Sequence, residues 1–278
     1  MGSPLSTTPS APPVTPTKSG VNPWLAGDGW ISLASVGSVL GLWWLASHWG
    51  WVNPLFLPTP EKVLSAFGEI LTHGYKGVPL IFHIGDSLYR LGVAIALAIL
   101  TAIPLGMACG TSRRLRAVFE PLIEFYRPLP PLAYYTLLVI WLGIENPSKI
   151  ALLFLAAFAP LYLAAVAGVQ RVPRDRILGS QSLGANRWQI FRHVIFPSVL
   201  PDLFTGLRTA IGFAYTTLVA AEMVAAVSGI GWMVLDASKF LRSDVIFVGI
   251  FILGGIAGGL DGLLRWVMRS HLTWVGHE

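Results

Sequence analysis

The sequence has few charged side chains and almost no cysteine. Only 12% of its 278 residues are charged and 54% are hydrophobic, whereas a water-soluble domain carries about a quarter charged residues. The one thiol, Cys109, cannot form an internal disulfide, and neither a CxxC motif nor a Cys/His cluster occurs. The composition therefore excludes an ordinary soluble domain and gives no support for a zinc or redox site, so we expect no bound metal.

Motifs for catalysis are also missing. The sequence contains no G-x4-G-K-[ST] loop for nucleotide phosphates, no H-E-x-x-H metal motif and no G-x-S-x-G nucleophile elbow. Its six histidines are scattered along the chain. We therefore expect no catalytic residue and no nucleotide site in this polypeptide, which disfavours a membrane-embedded enzyme.

Six apolar runs dominate the rest of the sequence, and each is long enough to cross a hydrocarbon core of about 30 Å. They predict an all-α integral membrane protein with six transmembrane helices and both ends on one side. The cluster RPLPPLA at 127–133 should break or kink the third helix, because proline interrupts helical hydrogen bonding. The predicted spans cover residues 30–51, 87–109, 118–142, 150–169, 203–227 and 245–268.

Two segments outside these runs have a different composition. Residues 1–29 are rich in proline, serine and threonine and lack the regions of a signal peptide. We predict that they form a disordered cytoplasmic tail, followed by one transmembrane domain over residues 30–278. The segment from Pro60 to Gly74 has apolar side chains at helical spacing on one face. We expect a helix that is too short to span and lies flat on the membrane surface.

The distribution of lysine and arginine predicts which side of the membrane each loop faces. With the N-terminus in the cytoplasm, inside segments contain 11 of these residues and outside segments five, with three more inside spans. This bias follows the positive-inside rule and places both termini, and the loop between the fourth and fifth spans, in the cytoplasm. The net charge of +5 therefore reflects membrane topology, and nucleic-acid binding is not expected.

The cytoplasmic loop at 173–201 has the size of two short helices joined by a turn at Gly184-Ala185-Asn186. Its first helix should be polar, and Pro197 and Pro201 should bound the second. The second helix has an apolar stripe whose aromatic members suit a pocket on a partner protein. On the helix pattern alone, an ordinary amphipathic surface helix is the simpler interpretation. The stripe consists of Trp188, Ile190, Phe191 and Val194.

Ionisable residues inside the predicted spans are candidates for function, since a charge at bilayer depth is costly. Arg127 precedes the proline break and could attract a small anion in a translocation path, or could pair with Glu124 three residues earlier. Glu222 would repel an anion, so a helix-to-helix salt bridge or hydrogen bond, at a gate or dimer contact, explains it better. Four neutral side chains could either bond a passing substrate or simply pack: Tyr134, Tyr135, Thr216 and Thr217.

Several segments carry a resemblance to a known family. Gly184 is followed by Val194, Phe196 and Pro197 in the spacing G-x9-apolar-x-apolar-P. With this loop, the chain resembles the membrane-spanning permease of type I ABC importers over roughly residues 30–278. It is most similar to the taurine, aliphatic sulfonate, nitrate and bicarbonate branch. EFYRPLPPLA and the ending LTWVGHE resemble taurine permeases more than nitrate ones. Further matching segments are PLFLPTPEKVL at 54–64, IWLGIENPSKI at 140–150 and LVAAEMVAAVSGIGWMV at 218–234.

The resemblance implies a transport subunit of the bacterial inner membrane. In this family the cytoplasmic loop docks on an ABC ATPase, two copies of the permease form the path, and an external binding protein delivers the substrate. It implies transport of a small anion, first taurine or another aliphatic sulfonate, with nitrate or bicarbonate as alternatives. The chain itself would bind no cofactor, and ATP and Mg²⁺ would bind two partner ATPase subunits. The implied coupling residues are Gly184, Ala185, Arg187, Trp188, Phe191 and Pro197.

One half of the family motif is absent from this chain. The pattern opens with Glu-Ala-Ala six to four residues before the glycine, where this sequence has Leu178, Gly179 and Ser180. The acidic contact of that half is therefore missing. A stand-alone secondary transporter is the competing hypothesis, although the internal repeat found in many such proteins is not visible.

Overall fold

The computed structural model describes residues 29–271, which are almost entirely helical and include no β-strand. The predicted disordered tail, residues 1–29, lies outside the described residues except for Gly29. The chain divides into two units after Pro54. In the first unit, the structure describes helix α1 (Gly29–His48), which is long and apolar enough to cross a membrane.

Ten further helices lie between Leu55 and the end of the described range. Together with α1, residues 29–271 contain five helical segments that could cross a membrane by length and composition, and one shorter apolar helix, Pro131–Leu142. This confirms the prediction of an all-α integral membrane protein. The helices are α2 (Pro60–His73), α3 (Leu80–Thr111), α4 (Arg113–Tyr126), α5 (Pro131–Leu142), α6 (Asn146–Arg171), α7 (Arg174–Ser182), α8 (Arg187–Ile190), α9 (Phe196–Ala225), α10 (Ile230–Lys239) and α11 (Ser243–His271).

Small side chains let α3, α6 and α9 pack closely. Ala94, Ala98 and Ala102 repeat every fourth residue on α3 and are fully buried. On α9, Gly206 lies so close to α6 that an added Cβ would stand 2.2 Å from the Cβ of Ala164. Helices in a membrane depend on such close contacts, because lipid is as apolar as their own side chains. As a result α6 is the central helix, with α3 and α9 packed against it.

The third predicted span is divided into two helices. Helix α4 ends at Tyr126 and α5 begins at Pro131, so the chain is non-helical between them, at the proline cluster that the sequence analysis singled out. The break follows from the missing N–H groups of Pro128, Pro130 and Pro131 and from the steric demand of their rings. Helix α5 has only 12 residues and is short for a span.

Helix α2 confirms the helix predicted between Pro60 and Gly74. Thr59 caps its first turn, and the N–H of Gly74 bonds the carbonyl of Ile70 at its end. One face, including Val63 and Ile70, is buried. The placement of α2 flat on the membrane surface stays a prediction.

The loop at 173–201 differs from its prediction in one respect. Pro197 and Pro201 do not end the second short helix, because α8 continues through a π-helical turn, Phe191–Ile195, directly into α9. Together they form one helical segment, Arg187–Ala225, of 39 residues. The π-turn ends two residues before Pro197, where its wider backbone leaves room for the proline ring, and Pro201 lies inside α9.

Candidate functional site

The turn of the 173–201 loop is built by three consecutive residues. Gly184 adopts a φ of +82°, in the left-handed region that favours glycine. Ala185 follows, and Asn186 caps α8 by accepting a hydrogen bond from the N–H of Gln189 at 2.8 Å. The N–H of Asn186 in turn donates to the side-chain oxygen of Gln189 at 2.8 Å, which completes a capping box. The turn is thus fixed by local hydrogen bonds.

The inner face of this loop is packed onto the helix bundle. Ile190, Ile195 and Val199 are buried in one cluster with Val169 of α6 and Met107 of α3. A salt bridge of 2.5 Å between Arg171 at the end of α6 and Asp202 in α9 spans the same region. Buried apolar contacts of this kind tie the loop to α3 and α6, so a displacement of the loop is transmitted to those helices.

The outer face of the loop presents an aromatic surface. Trp188 is 65% exposed and stacks on Phe191 with 5.7 Å between ring centroids. Leu183 is also exposed, and together with Gly184, Ala185 and five further residues of the loop it lines an open depression of about 490 Å³. Arg187 is exposed at the start of α8, and Pro197 is half-buried in the first turn of α9. Five of the six predicted coupling residues therefore lie on or beside this surface, and Pro197 lies behind it.

A second candidate site lies at the break between α4 and α5. A cavity of about 520 Å³ is lined by Arg127, Tyr134, Tyr126, Phe213 and residues of α6. The hydroxyl of Tyr126 is buried and has no hydrogen-bond partner among the described residues. Arg127 forms no salt bridge with Glu124 or with any other carboxylate in residues 29–271. The cavity therefore combines a guanidinium group, a free phenol and aromatic rings.

The other predicted path residues lie away from this cavity. Tyr135 is buried, and its hydroxyl lies 3.5 Å from the Ala221 carbonyl oxygen of α9. Thr216 and Thr217 donate to carbonyl groups of their own helix, as is common for threonine in membrane helices. The structure thus brings together Arg127 and Tyr134 and separates them from Tyr135, Thr216 and Thr217.

Glu222 is the centre of a buried polar junction, which we define as Ser87, Arg90, Asn146, Glu222 and Ser228. Its carboxylate is fully buried and lies 2.6 Å from Nη1 of Arg90. Ser87 donates to it at 2.8 Å. Arg90 also donates to the side chain of Asn146 at 2.8 Å and to the Ser228 carbonyl at 3.0 Å. The junction therefore joins α3, α6, α9 and the segment before α10.

The carboxylate of Glu222 also completes the start of α10. The N–H of Gly231 donates to it at 2.9 Å, and the N–H of Ile230 donates to Ser87 at 3.1 Å. These are N–H groups of a helix N-terminus, which have no partner within the helix and carry partial positive charge. Arg90 and the α10 N-terminus together neutralise the charge of Glu222 within the junction.

Arg90 is the residue of this junction that sequence reasoning missed. The sequence places it inside the second span, four residues after Asp86, which lies 3.9 Å from its guanidinium group. Its partner Glu222 is 132 residues away in the chain, so no local pattern indicates that pair. One signal was available. Arg90 and Glu222 each lie inside a predicted span, and buried charges in membranes are normally paired with one another.

A smaller polar cluster lies at the junction of α10 and the turn after α2. Lys76 lies 2.6 Å from Asp236, and the hydroxyl of Tyr75 donates to the same carboxylate at 2.8 Å. Burial of Asp236 favours its neutral form. The hydrogen bonds from Lys76 and Tyr75 outweigh this effect and lower the pKa of Asp236 below its usual value.

The comparison with protein families decides what kind of membrane protein this is. The family described as "Binding-protein-dependent transport system inner membrane component" matches residues 102–270, which is more than half of the chain. The chain belongs to this family. The permease is therefore a multi-pass inner-membrane component of a binding-protein-dependent transport system.

Individual relatives agree with this assignment. The permease is 43% identical over 247 residues to the taurine transport system permease protein TauC of Escherichia coli K12. The alignment covers 88% of this chain and 90% of the relative. It is 30% identical to the putative aliphatic sulfonates transport permease protein SsuC of Bacillus subtilis, over 85% of this chain and 84% of the relative. It is 32% identical to the nitrate import permease protein NrtB of Synechocystis, over 73% and 75%.

A solved structure supports the fold. The structure described as inward-facing conformations of the MetNI methionine ABC transporter aligns with a TM-score of 0.54 at 17% sequence identity. The alignment covers 68% of this chain and 95% of the other. At this identity the match concerns the fold alone.

Proposed function

We propose that the permease carries taurine or another small aliphatic sulfonate into the cell. The observation that carries this proposal is the 43% identity, over 88% of the chain, to the relative named for taurine transport. The family of the chain is consistent with import and with delivery of the substrate by an external binding protein.

The cavity at the α4–α5 break has the chemistry that such a substrate needs. A sulfonate group is a permanent anion with three acceptor oxygens, and Arg127 and the unpartnered hydroxyl of Tyr126 are donors suited to it. The ammonium group of taurine could in turn contact the face of Tyr134 or Phe213, both of which line the cavity. In this proposal Arg127 and Tyr134 contact the substrate, whereas Tyr135 contacts α9 and the Thr216 and Thr217 hydroxyls bond carbonyl groups of their own helix.

Energy would be supplied by a separate protein. We propose that the exposed loop around Gly184, Trp188 and Phe191 binds an ABC ATPase, and that ATP and Mg²⁺ are bound there. The aromatic outer face fits a hydrophobic pocket, and its packed inner face would pass a push from the ATPase to α3 and α6. Because Leu178 replaces the usual glutamate, this contact would be less charged than in relatives that keep the full motif.

The complete importer would contain two copies of the permease, two ATPase subunits and an external binding protein. Both termini and the 173–201 loop would lie in the cytoplasm, as the excess of lysine and arginine on that side indicates. Alternating access would follow from movement of the broken third span and of α9 when the ATPases close.

A transport assay tests the substrate directly. The permease, its ATPase and its binding protein would be reconstituted in liposomes, with labelled taurine, nitrate and bicarbonate compared at equal concentration. We expect ATP-dependent uptake of taurine, in excess of both inorganic anions. Preferential uptake of nitrate or bicarbonate would show that one of these anions, and not taurine, is the substrate. Uptake by the permease alone without ATP would show that it is a secondary transporter and not part of an ATP-driven importer.

A further inference from the structure

Two arginines share one carboxylate on the outer surface of α9 and α11. Asp261 of α11 accepts a hydrogen bond from Nε of Arg208 in α9 at 2.5 Å, and its other oxygen lies 2.9 Å from Nη2 of Arg265. The side chains of Arg208 and Arg265 remain 51% and 53% exposed. This group therefore has a net charge of +1 and donors that are still free.

The same residues border a cleft between the two helices. The α9–α11 cleft has a volume of about 270 Å³, and its lining apart from Arg208, Asp261 and Tyr215 is apolar or small. At one end Tyr215 donates to the Leu253 carbonyl at 2.7 Å, which joins the helices. At the other end Arg208 and Asp261 join them. The cleft is thus an apolar slot with a cationic end. The remaining lining residues are Ile211, Gly212, Ala257, Leu260 and Leu264.

The cationic end lies within reach of one lipid headgroup layer. Arg208 is about 18 Å from the start of α9, and Asp261 is about 15 Å from the end of α11, at 1.5 Å per residue. Both residues are therefore nearer to the same end of the bundle. Exposed charge at this depth is costly unless it meets an anion, and long arginine side chains extend along the helix towards the interface.

We propose that the α9–α11 cleft binds an anionic phospholipid. The phosphodiester group would contact Arg208 and Arg265, and one acyl chain would lie along Gly212 and Ala257. Basic pockets between membrane helices are suited to such headgroups on the cytoplasmic side. The assignment to the cytoplasmic leaflet rests on the orientation given under the proposed function, whereas the binding itself does not.

Charge favours lipid over a second copy of the permease as the occupant. In a two-fold contact, a patch meets the same patch of its partner. If two copies met through this cleft, two groups of net positive charge would face each other. A phospholipid headgroup brings the complementary charge, and an acyl chain fills an apolar slot without leaving polar groups unpaired.

Lipid titration of the full-length permease in neutral detergent, followed by native mass spectrometry, tests the proposal. The probes are phosphatidylglycerol and phosphatidylcholine with identical acyl chains. We expect phosphatidylglycerol to bind preferentially. Arg208→Gln should weaken its binding about fivefold, and the isosteric Asp261→Asn should strengthen it about fivefold. This factor corresponds to the contribution of about one basic residue to binding of an anionic lipid. Arg113→Gln, an equal loss of charge at the start of α4, should leave the affinity unchanged.

Lipid binding predicts that the two variants change the affinity for phosphatidylglycerol in opposite directions, whereas a purely structural ion group does not. Equal binding of both lipids, or weaker binding to the Asp261→Asn variant, would overturn the proposal. If Asp261→Asn instead changed the ratio of dimer to monomer with no effect on lipid affinity, a second copy would be the occupant. Neither substrate nor ATPase is present, so a failure here is independent of the proposed transport function.

Discussion

The polar junction gives the strongest single prediction about stability. In Glu222→Gln, Arg90 keeps its charge in a fully buried position and loses the carboxylate that lies 2.6 Å away. Removing one partner of a buried ion pair costs about 3–5 kcal/mol, because the remaining charge is left without compensation. Arg90→Gln should cost a similar amount, since Glu222 then depends on Ser87 and the N–H of Gly231 alone. The double variant Arg90→Gln/Glu222→Gln should cost clearly less than the sum of the two.

The midpoint of thermal unfolding in one detergent, at a fixed scan rate, measures this effect. For a chain of this size about 1 kcal/mol corresponds to 2–4 °C, so each single variant should unfold about 6–20 °C lower than the wild type. Arg242→Gln is the control, because Arg242 forms exposed salt bridges with Glu69 and Asp244, which are worth about 1 kcal/mol or less. Losses below about 2 °C in the single variants, or strictly additive losses in the double variant, would refute the reasoning.

Three further predictions concern the cavity, the helix packing and the outer cluster. Arg127→Gln should lower the affinity for taurine in the transport assay about tenfold and leave the unfolding midpoint unchanged. The control Lys62→Gln should change neither quantity. Equal taurine affinity in wild type and Arg127→Gln would show that Arg127 does not contact the substrate. Gly206→Ala should destabilise the bundle by about 1–3 kcal/mol, because the added Cβ would overlap Ala164. Gly212→Ala on the same helix is the control, because its Cβ meets open space. Equal unfolding midpoints in the two variants would contradict the packing. Asp236→Asn should lower the unfolding midpoint at pH 7. The difference from wild type should shrink as the pH falls below about 4, because the pKa of Asp236 is lowered in the folded state. A difference in midpoint that does not depend on pH would contradict this.

Local sequence signals accounted for several elements of the fold. The proline cluster at 127–133 predicted the break between α4 and α5, and Pro60 and Gly74 marked the ends of α2. The turn at Gly184 was also predicted, because glycine followed by Asn186 is typical of a helix start after a turn. Each of these features depends on residues only a few positions apart, so the pattern is contained in a short segment.

Features that depend on how helices rotate against one another were not predicted. The pairing of Arg90 with Glu222 requires the relative rotation of α3 and α9, and neither hydropathy nor charge count contains it. The same holds for Tyr135, which faces α9 instead of the cavity that its neighbour Tyr134 lines. The prediction that Pro197 and Pro201 bound a separate helix was wrong for a local reason. A π-turn directly precedes Pro197, Pro201 lies inside α9, and no residue pattern marked that turn.

Substrate-stimulated ATP hydrolysis by the reconstituted complex tests the role of the 173–201 loop most directly. Two glycines allow a comparison: Gly184, with φ +82°, lies in the loop after α6, and Gly143, with φ +83°, lies just before α6, a helix about 39 Å long; both face open space. Both Gly184→Trp and Gly143→Trp should suffer backbone strain of about 1–3 kcal/mol, because a positive φ favours glycine. The account predicts that Gly184→Trp abolishes stimulation of ATP hydrolysis by the taurine-loaded binding protein, while Gly143→Trp retains it and both variants insert into the membrane normally. Full stimulation in Gly184→Trp would contradict the account.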